Sequence, residues 1–128
     1  MENPSTGYAS KRYDQPTKRY CQTLDLKENP DFIAEYRRLH SKEGAWKEIL
    51  AGIREVGILE MEIYILGTRL FMIIDTPIDF DWNVEMDRLG KLPRQEAWEA
   101  VVAKFQVADP KAGSSEKWKQ MERMFYLY

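Results

Sequence analysis

One cysteine and one histidine are all that 128 residues contain. A single Cys21 excludes an internal disulfide and suits a reducing cytoplasm. One Cys and one His also leave no Cys/His set for zinc, and no acidic cluster stands out to hold magnesium. No apolar run reaches membrane-spanning length, and the N-terminus lacks the apolar stretch of a signal peptide. The formal net charge of -2 gives neither the basic footprint of a nucleic-acid binder nor a polybasic membrane patch. Internal repeats are absent. The sequence thus predicts a cytoplasmic protein with no metal, cofactor, nucleic acid or membrane partner.

What is present is ordinary for one folded domain. A hydrophobic fraction of 44% with 31% charged residues supplies a core without metal or disulfide staples. Residues 1–17 mix Pro, Gly, Ser and charge without period and read as a disordered tail, leaving residues 18–128 as the domain. Alternation predicts a strand over 19–26, with Tyr20, Gln22, Leu24 and Leu26 on one face. Asn29-Pro30 is a helix start, and Phe32, Ile33, Tyr36, Leu39 and His40 follow at helical spacing. Gly44 interrupts or re-angles that helix, which continues over 45–56 to a stop at Gly57. Two strands, 58–66 and 69–76, join at Gly67-Thr68. Helices are expected over 79–89 and 94–105, a loop over 109–115 and a fourth strand over 117–127.

That order, β-α-β-β-α-β with split helical legs, predicts an α+β ferredoxin-like domain with an antiparallel sheet covered on one face by helices. Leu70, Phe71, Met72, Ile73 and Ile74 are apolar without alternation, so both faces of that strand should be buried. The second face then needs an apolar cover, most simply an identical subunit across a two-fold axis.

Tyr36 and His40 are four apart, so a helix stacks phenol and imidazole on one face. Two readings are open on spacing alone. A lone His on an apolar stripe can be a hydrogen-bonded core residue. It can also be a general acid/base, since imidazole titrates near neutral pH. Cys21 reads as a small buried hydrophobe, Arg37 and Arg38 as a solvated face, and Trp46, Trp82 and Trp118 as core. Glu60, Glu62 and Tyr64 share one strand face, where Glu62 could assist a proton transfer.

The run from Glu35 to His40 (Glu-Tyr-Arg-Arg-Leu-His), then Trp46 and Glu48, the strand Ile63, Tyr64, Ile65 and the terminal Phe125, Tyr126, Leu127 together resemble the L-rhamnose mutarotase family. The resemblance covers about residues 18–128. It implies a dimeric α/β barrel of two ferredoxin-like subunits that interconverts the α and β anomers of a 6-deoxy-L-sugar without a cofactor. It also implies that His40 is the proton donor and that Tyr36 and Trp98 contact the sugar, with Tyr36 or Glu62 as the candidate second proton carrier beside His40. The chain departs from the rhamnose pattern in three places. Ala97 replaces the first of a tryptophan pair, Met61 replaces a pocket tyrosine, and two residues are inserted between His40 and Trp46. These changes bring L-fucose in beside L-rhamnose as the sugar. On fold alone, a small dimeric oxygenase or a non-catalytic ligand-binding module would share the architecture.

Overall fold

The computed structural model describes residues 3–109 and 111–128. The elements are β1 (Thr17–Asp25), α1 (Pro30–Leu39), α2 (Lys47–Glu55), β2 (Glu60–Leu66), β3 (Arg69–Pro77), α3 (Trp82–Gly90), α4 (Gln95–Ala103), α5 (Ser114–Lys117) and β4 (Lys119–Gln120). The sheet order is β2-β3-β1-β4, and every neighbouring pair is antiparallel. This is the expected ferredoxin-like arrangement, with β3 inserted between the two strands that α1 and α2 connect.

Register decides which side chains share a face. Tyr20, Gln22 and Leu24 of β1 pair with Ile74, Met72 and Leu70 of β3, which pair with Met61, Ile63 and Ile65 of β2. This set faces the helices and supplies most of the sheet's share of the core, with Ile74 fully buried. The alternate set, Arg19, Cys21, Thr23, Phe71, Ile73, Glu62 and Tyr64, lies on the open face. Met72 therefore points into the helical layer, and Phe71 and Ile73 are the outward residues, only half-buried in the single chain. Cys21 is likewise half-buried on the open face rather than a core filler.

The split in the first helical leg has a local cause. His40 caps α1, and the Ser41 hydroxyl donates to Arg38 O at 2.6 Å while accepting from Gly44 N at 3.0 Å. A Cβ on Gly44 would stand 2.0 Å from Arg38 O, so only glycine closes this turn. At the start of α4 the helix begins after Arg94, not Pro93, because Arg94 adopts a left-handed conformation at φ 67°.

Both chain ends depart from expectation. The fourth strand is two residues long rather than eleven, with one further ladder bond from Met121 N to Cys21 O at 2.7 Å. Beyond it Met124, Phe125, Tyr126, Leu127 and Tyr128 are exposed. These residues suit a strand, but a strand needs a partner, and beyond Met121 they make no ladder bond among the described residues. The loop expected over 109–115 ends in the short helix α5.

The described residues ahead of β1, expected to be disordered, lie along the sheet. The Tyr8 and Tyr64 rings meet edge to face at 5.5 Å, and Lys11 Nζ donates to Leu59 O at 2.9 Å. Tyr13 donates its hydroxyl proton to Asp75 Oδ2 at 2.8 Å, and Arg19 pairs with the other oxygen at 2.7 Å. Burial alone would raise the Asp75 pKa, but the hydrogen bonds from Arg19 and Tyr13 and the Arg19 charge bring it below the ordinary carboxylate value. Asp75 thus stabilises the fold above its unfolded-state pKa, and that contribution is lost as pH falls through the lowered value. Tyr13→Phe leaves a largely buried carboxylate one donor short. It is expected to cost about 1–2 kcal/mol and lower the melting temperature by about 3–6 °C. Calorimetry checks this, and an unchanged melting temperature would show that the leading segment is not docked.

Candidate active site

Between the helix-facing side of the sheet and the helices lies a cavity of about 750 Å³. Met61, Ile63, Met72 and Ile74 line it from the sheet, and Tyr36, His40, Ile49, Leu89, Trp98 and Val102 from the helical layer.

The sequence places the Tyr36–His40 pair through α1. Asn29 Oδ1 accepts from Asp31 N at 2.9 Å and Phe32 N at 3.2 Å, and Pro30 stands at the first helical position. Helical spacing then sets the Tyr36 and His40 rings 4.3 Å apart at the end of α1. The last carbonyls of a helix lack intrahelical partners. Here the Tyr36 carbonyl takes its partner from a side chain, at 2.7 Å from His40 Nδ1. A carbonyl can only accept, so Nδ1 carries the proton and Nε2 keeps its lone pair. The residue as a whole is exposed, yet its ring packs between Tyr36 and Trp98. Burial lowers the imidazole pKa below its ordinary value, and the Tyr36 carbonyl offsets this only in part. At neutral pH His40 is a neutral base with a fixed tautomer.

Tyr36 is buried, and its pKa is pushed up to about 12 by burial, against a smaller opposing effect of the Gln106 hydrogen bond. Gln106 Nε2 donates to the phenol oxygen at 3.3 Å, so Tyr36 retains its own proton to donate. A phenol at this pKa is an acid and hydrogen-bond donor, not a resting base.

Trp98 stands edge to face with His40 at 5.4 Å and with Trp46 at 5.3 Å. The Arg94 guanidinium lies 4.0 Å over the Trp46 ring and pairs with Glu48 at 3.3 Å. Two indoles therefore form one aromatic wall, and such faces suit the C–H surfaces of a sugar ring.

The residues singled out in the sequence divide clearly. Tyr36, His40, Met61 and Trp98 all line the cavity. Ala97 does not. It is exposed on α4, because successive helical residues point about 100° apart and Trp98 takes the inward direction. Glu62 is on the open face of the sheet, where its Oε2 accepts from the Tyr64 hydroxyl at 3.1 Å, away from His40.

Sequence reasoning missed several lining residues. Trp118 belongs to the core as expected and also lines the cavity, whereas Trp46, expected as core, is half-buried on the cavity wall. Gln22, Gln95 and Gln106 are buried polar side chains on its walls. Gln22 carried a usable signal, a polar residue in register with Tyr20 and Leu24 on a core-facing strand face. Glu99 also lines the cavity and accepts from Ser114 N at 2.6 Å, a contact across a loop that spacing does not reveal.

A family profile, two curated relatives and a solved structure are similar to this chain. The L-rhamnose mutarotase family profile matches residues 19–127. An L-fucose mutarotase from Xanthomonas campestris pv. campestris is 37% identical over 110 residues, covering 86% of this chain and 88% of the relative. A UPF0734 protein from Dictyostelium discoideum is 33% identical over 114 residues, covering 86% of this chain and 90% of its own. The crystal structure of an L-rhamnose mutarotase from Formosa agariphila superposes with a TM-score of 0.64 at 17% identity. It covers 87% of this chain and 99% of that one, a likeness of fold. The extent of the profile match and the 37% identity across most of both chains establish that this chain belongs to the L-rhamnose mutarotase family.

Proposed function

We propose that this protein interconverts the α and β anomers of a 6-deoxy-L-sugar, with L-fucose ahead of L-rhamnose. The named activity of the Xanthomonas relative and the replacement of the pocket tyrosine by Met61 support that order. The observation that carries the chemistry is the 2.7 Å contact of His40 Nδ1 with the Tyr36 carbonyl, which leaves Nε2 as a base in the cavity beside a protonated phenol.

Mutarotation breaks the C1–O5 bond of a hemiacetal and reforms it on the other face of the carbonyl. In this reading His40 acts first as a base through its free Nε2, rather than as the proton donor that the resemblance implies: it takes the proton of the anomeric hydroxyl as C1–O5 breaks, and Tyr36 gives its proton to the departing ring oxygen. A phenol at about 12 is still a stronger acid than the alcohol formed, so this transfer is downhill. Rotation about C1–C2 turns the aldehyde over. On closure the phenolate recovers its proton from the attacking hydroxyl, and the imidazolium returns its proton to the new anomeric oxygen. Atoms and charge balance without a further reactant. Trp98 and Trp46 hold the C–H surface of the opened sugar during the turn.

The pH profile of exchange tests this. The base form of His40 is needed, and its pKa is lowered from the ordinary value of about 6.5. Exchange measured by NMR should hold its plateau below pH 6.5 and then fall about tenfold per unit on the acid side. Stability has the same sign, since a folded-state pKa below the unfolded one favours unfolding as pH falls. An inflection at or above pH 7 would contradict the assignment.

We infer a homodimer joined through the open sheet face, supported by outward Phe71 and Ile73 and by the exposed apolar C-terminal segment. Among the described residues no helix is long and apolar enough to cross a membrane. The cytoplasm is the compartment we infer, on the single free cysteine.

A further inference from the structure

We propose that Gln106 reads the configuration of one sugar hydroxyl and so sets which 6-deoxy-L-sugar is preferred. The inference rests on the mutarotase reading and deepens it. Gln106 is 3% exposed and lines the cavity immediately after α4. Its backbone is pinned on both sides: Leu26 and Gln106 form a β-bridge, Lys27 N donates to Phe105 O at 2.8 Å, and Val107 N donates to Asp25 O at 2.8 Å. The side chain is oriented as well, since Nε2 is committed to the Tyr36 hydroxyl at 3.3 Å. Its other end is not: Gln106 Oε1 is buried with no hydrogen-bond partner among the described residues.

A buried amide oxygen with no donor is unfavourable, and a ligand that donates to it removes the deficit. The oxygen can only accept, so the ligand group must be an O–H or N–H, and sugar hydroxyls are such donors. An oxygen fixed by a pinned backbone and a committed amide nitrogen accepts from a narrow range of directions. L-fucose and L-rhamnose have the same 5-methyl group and differ in configuration at C2 and C4, so inverting either carbon moves a hydroxyl toward or away from such an acceptor. Sites that hydrogen-bond a substrate hydroxyl reject the analogue that cannot supply it far more strongly than apolar pockets reject a changed methylene. Gln106 thereby couples selection to catalysis, because its nitrogen holds the phenol that serves the ring oxygen.

The test is exchange kinetics of the full chain and of Gln106→Met, which has similar length and no polar end, on L-fucose and L-rhamnose separately. A second variant, Gln106→Leu, covers the case in which the first fails to fold. The expected result is a loss of roughly 10–100-fold in kcat/KM on the preferred sugar, with KM raised by the lost hydroxyl contact and kcat lowered by the freed phenol. The loss on the other sugar is smaller, so the ratio between them moves toward one, and the melting temperature stays within a few degrees because an unpaired buried acceptor has been removed. Equal losses on both sugars would overturn the proposal, leaving Gln106 as a support for Tyr36 only, and so would an unchanged ratio in a folded variant. Absence of exchange in the unsubstituted protein on either sugar would instead overturn the mutarotase reading and this proposal with it.

Discussion

Phe71→Lys is expected to convert the protein from a dimer into monomer or aggregate, with light scattering at micromolar concentration as the measurement. The register fixes the choice of residue. Met72, its neighbour, faces the helices and lines the cavity, so a charge there would damage core and site together. Phe71 faces outward beside Ile73, and both are only half-buried in the single chain. Obligate dimers typically bury more than about 2,000 Å². Phe71, Ile73 and Cys21 on the open face and the exposed residues from Met124 to Tyr128 offer apolar surface for this. A lysine at Phe71 would place an unpaired ammonium at the middle of that contact, at a cost of several kcal/mol. A monomeric mass for the unsubstituted protein, or a Phe71→Lys variant that remains dimeric, would contradict the assembly.

The reach of the sequence can be judged from these residues. The order of strands and helices was legible because Tyr20, Gln22, Leu24 and Leu26 alternate and Tyr36, Leu39 and His40 recur at helical spacing. The partnership of Tyr36 and His40 was legible for the same reason, since both lie on one helix and need no tertiary information. The second wall was not. The break at Gly44 was legible, but the meeting of Trp46 with Trp98 was not, because it is a tertiary contact between residues of different helical legs. Ala97 falls outside the cavity although it is adjacent to Trp98, because neighbouring residues on a helix point about 100° apart. The fourth strand was overextended because propensity reports what a segment favours, whereas pairing depends on an edge being available. Tyr13 looked like part of a polar tail, and its role comes from Asp75, 62 positions away in sequence. Gln106 was silent for a related reason: a single glutamine after a helix has no pattern, and only its burial with one committed end distinguishes it.

His40→Ala carries the largest expected effect on activity. Loss of a general acid/base reduces rate by about 10² to 10⁴. The fold should survive, because the imidazole caps one helix carbonyl at the cavity edge and is not a main support of the core. A structural histidine would behave differently, with activity falling only as far as the protein unfolds. The decisive measurement is therefore saturation transfer between the anomer signals of L-fucose or L-rhamnose, taken with the melting temperature on the same His40→Ala sample and on the unsubstituted protein. The predicted result is fast exchange in the unsubstituted protein and exchange lower by about 10² to 10⁴ in a variant that melts within a few degrees of it. Exchange that persists in a folded His40→Ala variant would contradict the assignment of His40 as the catalytic base.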